Sequence, residues 1–114
     1  MKMQVEPVAS GVVKVILEGR LDITGTGVID LQFNAIAGSH RGLIVDLSRV
    51  SFLASIGIST LPLSAKAVQR RGGVFVLLNP VLEVAKVLDL MAAIDLMPIY
   101  RDPEAALTAV LVRA

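Results

Sequence analysis

Apolar residues in this chain fall in short runs whose spacing switches between that of strands and that of helices. Met3 to Ala9 reads as a first strand, and Pro7 assigns it to a sheet edge because proline cannot donate to a ladder. Ser10-Gly11 is a turn. Val12 to Glu18 (VVKVILE) is a stronger strand, so the two form a hairpin. Gly19 to Asp22 leaves that strand, and Thr24-Gly25-Thr26-Gly27 reads as a loop. Thr26 is the expected cap of a helix from Gly27 to about Ala37, with Val28, Leu31 and Ala35 on its apolar face and Ile36 at the margin. Gly38 suits the position just past the helix end.

His40-Arg41-Gly42 leads into Leu43-Ile44-Val45, a β-branched run that reads as a buried strand. Asp46 and Ser48 end it with turn chemistry, and Val50 to Leu53 is a short apolar connection. Ala54-Ser55-Ile56-Gly57 opens the next helix, with Ser55 at its N-cap, where a side-chain oxygen satisfies a free backbone N–H. This helix continues to Arg71. Ile58, Leu61, Ala65 and Val68 define its core face. Ser55, Ser59, Leu63, Lys66 and Arg70 fall on the other side, where Leu63 is the apolar exception. Pro62 removes a hydrogen bond to Ile58 and is expected to kink the helix.

Gly72-Gly73 stops the helix, and Val74 to Leu78 (VFVLL) is another buried strand. Asn79-Pro80 supplies a cap followed by a first-turn proline for a helix to about Met91. Pro98-Ile99-Tyr100 is a short final strand. Asp102-Pro103-Glu104 repeats the cap-then-proline signal and starts a closing helix to about Val112. The order β-β-α-β-α-β-α-β-α implies an α/β fold: a mixed sheet, made of an N-terminal hairpin plus parallel strands joined by helical crossovers, with helices packed against it. No repeat, low-complexity segment or linker interrupts residues 1–114, which read as a single domain.

Composition narrows the class. Hydrophobic residues make up 54% of the chain and charged residues only 18%, which raises the question of a membrane span. The longest uncharged run lies between Arg49 and Lys66. It is shorter than the roughly 20 apolar residues a spanning helix needs, and it is broken by serines, a glycine and a proline. The start of the chain has no signal-peptide block. A cytoplasmic domain with an apolar surface patch for a protein partner accounts for the composition. The net charge of +1 gives nucleic-acid binding no electrostatic support. Without cysteine there is no thiolate nucleophile and no thiolate metal site.

Catalytic chemistry finds little purchase. A dinucleotide loop starting at Gly25 and Gly27 would need its third glycine at Asp30. His40 is the only histidine and reads as an exposed loop residue. Asp46 reads as a strand-end turn former. Arg70 and Arg71 suit the negative end of their own helix. Ser55 lacks the G-x-S-x-G context and has no obvious base beyond His40, so a hydrolase using it is a remote reading. No metal, cofactor or enzymatic activity is implied.

The segments GRLDITGTG (19–27), LIVDLSRVSFLASIGIST (43–60) and RRGGVFVLLNPVLEVAKVLDLMAAIDLMPIY (70–100) resemble a STAS domain, and specifically the bacterial anti-sigma-factor antagonists. The resemblance covers nearly the whole chain. Gly19, Leu21 and Asp22 match the family's G-x-L-D loop. The D-S-S-G or D-S-T-G motif that opens the second helix is met by Ala54, Ser55, Ile56 and Gly57, so its aspartate and second hydroxyl are replaced. The first serine is the family's phosphorylated residue, which implies that role for Ser55.

By that resemblance the unmodified protein binds an anti-sigma factor with a serine-kinase fold and thereby frees a sigma factor. The kinase phosphorylates the antagonist, and a serine phosphatase reverses the step. Asp22, Ile56, Gly57, Ser59 and Leu63 are the expected partner-binding residues. The alternative is a constitutive scaffold or transporter-associated STAS module, which the loss of the motif's aspartate suits. The sequence leaves self-association open.

Overall fold

The computed structural model describes residues 1–53, 55–90 and 97–113, with residues 55–59 described by their backbone alone. Five strands and four helices alternate among them: β1 (Lys2–Ala9), β2 (Val12–Leu21), α1 (Ile23–Ala37), β3 (Gly42–Leu53), α2 (Ser55–Arg70), β4 (Val74–Leu78), α3 (Leu82–Leu90), β5 (Ile99–Tyr100) and α4 (Pro103–Arg113). The strands form one sheet in the order β1-β2-β3-β4-β5. β1 and β2 are antiparallel, and every later pairing is parallel. The mixed sheet and the element order agree with the sequence reading.

Side-chain alternation sorts the core onto two faces. Val13, Val15 and Leu17 of β2 point to the same side as Leu43, Val45 and Leu47 of β3 and Phe75 and Leu77 of β4. There they meet Ile29 and Phe33 of α1, Leu61, Ala65 and Val68 of α2, and Val84 and Leu88 of α3. The opposite face carries Val12, Ile44, Val74, Val76 and Leu78, covered by Ala106 and Val110 of α4. β4, buried at all five positions, therefore shows no alternation. α4 lies over β3, β4 and β5. Over β1, β2 and the far part of β3 the same face is open, as a concavity of about 350 Å³ lined by Lys2, Met3, Gln4, Ile16, Glu18 and Arg49.

Several boundaries differ from the expectation for identifiable reasons. β2 runs on to Leu21 because Gly19, at φ +118, takes up a register shift against β3. β3 continues past Asp46 to Leu53. The turn chemistry at Asp46 is real, since the Ser48 N–H donates to its carboxylate at 2.9 Å. It acts where β3 loses β4 as a neighbour, at the Asp46–Leu78 pair, and where the β2 register slips.

α1 begins at Ile23, and Asp22 rather than Thr26 caps it. Its core face is Ile29, Phe33 and Ala37, so Val28, Leu31 and Ala35 lie exposed. Gly38 ends α1 in the right-handed region, at φ −79. Asn79 takes a positive φ of 50, and α3 starts only at Leu82, so Pro80 is not a first-turn proline. Pro80 is instead buried, and its carbonyl accepts from Arg101 Nη1 at 2.7 Å. Met91, the expected end of α3, lies outside the described residues.

Other local signals hold. Gly72, at φ +79, stops α2, and the Gly73 N–H bonds back to the Val68 carbonyl at 3.0 Å. Asp102 caps α4, accepting from the Ala105 N–H at 3.1 Å. Pro62 sits inside α2, which continues through it. Arg71 serves a different helix from the one expected. Its guanidinium donates to the carbonyls of Ala37 and His40, at the negative end of α1.

Candidate interaction site

β2 and β3 end side by side at the paired residues Leu21 and Leu53. Each is followed at once by a helix, α1 from Ile23 and α2 from Ser55. Parallel neighbours of equal reach therefore bring Asp22 and the start of α2 to one end of the sheet. In open α/β sheets this carboxyl end of the strands is where ligands and partners gather. Helix N-termini add free N–H groups and a partial positive charge there.

Ser55 is the first residue of α2, at the helix start expected for it. Ala54, the residue before it, lies outside the described residues. The side chains of Ser55, Ile56, Ile58 and Ser59, and the surroundings of Gly57, also lie outside what is described. Leu63 stands two turns further along α2 and is 66% exposed, on the outer side as expected. Ser64, beside it, is buried and donates to Asn34 Oδ1 at 3.5 Å, which ties α2 to α1.

Asp22 has a structural duty. Its Oδ1 accepts from the Gly25 N–H at 2.8 Å, and its Oδ2 accepts from Arg20 Nε at 3.3 Å. The Gly25 N–H holds the carboxyl below its ordinary value of 3.8; desolvation opposes this, and Arg20 adds to the lowering. Both oxygens are thus engaged within the chain.

The sequence reading passed over Arg20, although it stands next to the matched loop residues. Its guanidinium carbon lies 4.2 Å from the centroid of the Phe52 ring, across the β2–β3 pairing. Thr26, the expected cap, is buried inside α1, and its hydroxyl has no partner among the described residues. Among the described residues no group of three or more histidine or acidic side chains is arranged to hold a metal ion. No described helix is long and apolar enough to cross a membrane.

This fold and this strand-end site define a class. The chain belongs to the STAS domain family, whose family model matches residues 5–106. Within that class its likeness is to anti-sigma factor antagonists. The antagonist SpoIIAA in its unphosphorylated form is 25% identical, over 91% of this chain and 92% of that one, with a TM-score of 0.76. An anti-sigma factor antagonist from Mycobacterium paratuberculosis is 26% identical over 96% and 93%, with a TM-score of 0.85. The phosphorylated form of SpoIIAA, the Bacillus cell fate determinant, shares the fold at 24% identity, over 91% of this chain and 96% of that one, with a TM-score of 0.72. No curated protein sequence matches the chain.

Proposed function

We propose that this protein is an anti-sigma-factor antagonist that binds an anti-sigma factor with a serine-kinase fold and is switched off by phosphorylation of Ser55. On this reading it works in the cytoplasm, as a binding protein rather than an enzyme, and a serine phosphatase resets it. The observation that carries the reading is the start of α2 at Ser55, beside Asp22, in a chain similar to SpoIIAA. SpoIIAA itself exists in unphosphorylated and phosphorylated forms on one fold.

The physics of such a switch is local. Phosphorylation adds about −1.5 to −2 charges at neutral pH. At the first turn of a helix that charge is favoured by about 0.3–1 kcal/mol, so the antagonist keeps its fold. A docked protein meets a different balance. Enclosing an unpaired dianion, or facing it with like charge, costs several kcal/mol, and each 1.4 kcal/mol is tenfold in affinity. Dissociation therefore needs no allosteric change within the antagonist. Leu63 supplies apolar contact on the outer side of α2, and Ile56, Gly57 and Ser59 belong to the proposed contact surface with it.

The test is phosphorylation by an anti-sigma kinase sought by mapping the neighbouring genes. After incubation with that kinase and ATP, peptide mass spectrometry is expected to find one phosphate on Ser55. A chain that binds this kinase yet stays unmodified supports the second reading, a constitutive interaction module. Ala54 and Ile56 favour that alternative, because they replace an acidic and a hydroxyl residue around the serine.

A further inference from the structure

Arg20 is built into the end of the sheet as a fixed, outward-facing cation. Its Nε is tied to Asp22 at 3.3 Å and its guanidinium carbon lies over the Phe52 ring, 4.2 Å from the centroid. A guanidinium has five donors in a rigid fork. Here only Nε is used, and the two terminal nitrogens have no protein acceptor among the described residues. The side chain remains 61% exposed and Phe52 40% exposed. An arginine paired with an aromatic ring in this way has its entropy cost already reduced; both residue types are enriched at interfaces, and arginine also where interfaces carry most of their energy.

Place and charge say what it meets. Phe52 lies three residues before Ser55, so their Cα atoms are at most about 11 Å apart. Between Arg49 and Lys66 the chain has no charge. The α2 side of the site thus offers hydrogen bonds and apolar contact, and charge must come from the strand ends. Arg49 and Lys2 face the open concavity and flank Glu18 in one rung, which lies two residues before Arg20 on β2 and three before Phe52 on β3. No ion pair within 4.0 Å joins any of these three charges among the described residues, whereas the Glu6–Lys14 pair on the same face is closed at 3.5 Å.

We propose that Arg20, held by Asp22 and Phe52, is the anchor for a carboxylate on the anti-sigma partner, and that Arg49 and Lys2 extend this into a seat for an acidic segment. The inference rests on the antagonist reading and names the chemistry of its partner. A carboxylate accepts two parallel bonds from the terminal nitrogens, a geometry lysine cannot reproduce. Asp22 acts here as a positioning residue.

The experiment measures affinity of the full chain for the anti-sigma kinase at two salt concentrations. Arg20→Glu is expected to weaken binding at least thirtyfold, Arg20→Lys about tenfold and Phe52→Leu about threefold. Lys86→Glu on α3 changes net charge equally and is expected to leave affinity intact. Changing one acidic surface residue of the kinase to arginine is expected to restore binding to Arg20→Glu. Circular dichroism checks that each variant is folded. If Arg20→Glu binds as the unaltered chain does, or no more weakly than Lys86→Glu, the anchor is refuted while the antagonist reading stands. If the unaltered chain does not bind the kinase at all, both fall.

Discussion

Two glycines in the first turns of α1 show how differently one residue type is used. A Cβ on Gly25 would sit 2.0 Å from the carbonyl oxygen of Arg20, a backbone atom at the end of β2. A Cβ on Gly27 would meet nothing within 4 Å. Gly25→Ala is therefore expected to destabilise the protein by about 1–3 kcal/mol through overpacking. Gly27→Ala is expected to stabilise it by about 0.5–1 kcal/mol through the lost freedom of the unfolded chain. Urea unfolding of both variants checks the pair. In sequence the two glycines look alike, as parts of one Thr-Gly repeat, because the close approach of α1 to β2 is a tertiary fact.

Asp22 carries a second expectation at this scale. Its folded-state value lies below 3.8, so its capping contribution is fully present above the unfolded value. That contribution is lost as pH falls through the depressed folded value. Stability of the unaltered chain should thus change little around neutral pH on account of this group, and decline in acid. Asp22→Asn should flatten that part of the acid decline, as read from denaturant midpoints between neutral pH and the acid range. The resemblance of GRLD to the family loop singled out Asp22. It could not show that both oxygens are occupied within the chain, nor that Arg20 is thereby held in place.

At the scale of elements, α1 is where pattern reading went astray. Val28, Leu31 and Ala35 recur at helical spacing, and so do Ile29, Phe33 and Ala37. Period alone does not choose between two such stripes. The choice follows from the helix starting at Asp22 and from Phe33, whose ring fills the space beneath α1. Leu31 is 87% exposed. Leu31→Lys is accordingly expected to shift stability by no more than about 0.5 kcal/mol, whereas Phe33→Ala should cost about 3–5 kcal/mol. A result in which Leu31→Lys is the costlier change would reverse the register of α1.

The core stripe of α2 matches the sequence pattern as far as it is described, because Leu61, Ala65 and Val68 step by four and three and all three are buried. Its outer side yields a prediction that separates folding from binding. Leu63→Glu should alter stability by less than about 0.5 kcal/mol and reduce affinity for the anti-sigma kinase at least tenfold. Unchanged affinity would remove Leu63 from the contact surface. The strand ends were harder to read. β3 gives up β4 as a neighbour at Asp46 yet stays paired to β2 up to Leu53, and no local signal marks a strand that exchanges two neighbours for one.

For the whole molecule, the alternation of strand and helix after one hairpin was enough to imply the parallel sheet, since short connections and crossover handedness leave few topologies. Non-alternating runs such as VFVLL reported burial on both faces, and α4 on the far side of the sheet from α1, α2 and α3 supplies the second cover. The site was legible in another way. Spacing alone gave Ser55 no more than a helix-start role, and the family resemblance supplied the phosphorylation. What the fold adds is position: two parallel strands that stop together, a helix starting past each, and a cation, Arg20, held near the end of β2.

The central claim is that charge placed on Ser55 expels the partner and spares the antagonist. It is tested most directly by measuring affinity for the anti-sigma kinase with the protein unmodified and again after stoichiometric phosphorylation, alongside its thermal unfolding midpoint in each form. The account predicts a fall in affinity of at least a hundredfold, about 2.7 kcal/mol, with a midpoint shifted by no more than a few degrees. Equal affinity in the two forms, or loss of binding accompanied by unfolding of the antagonist itself, would contradict it.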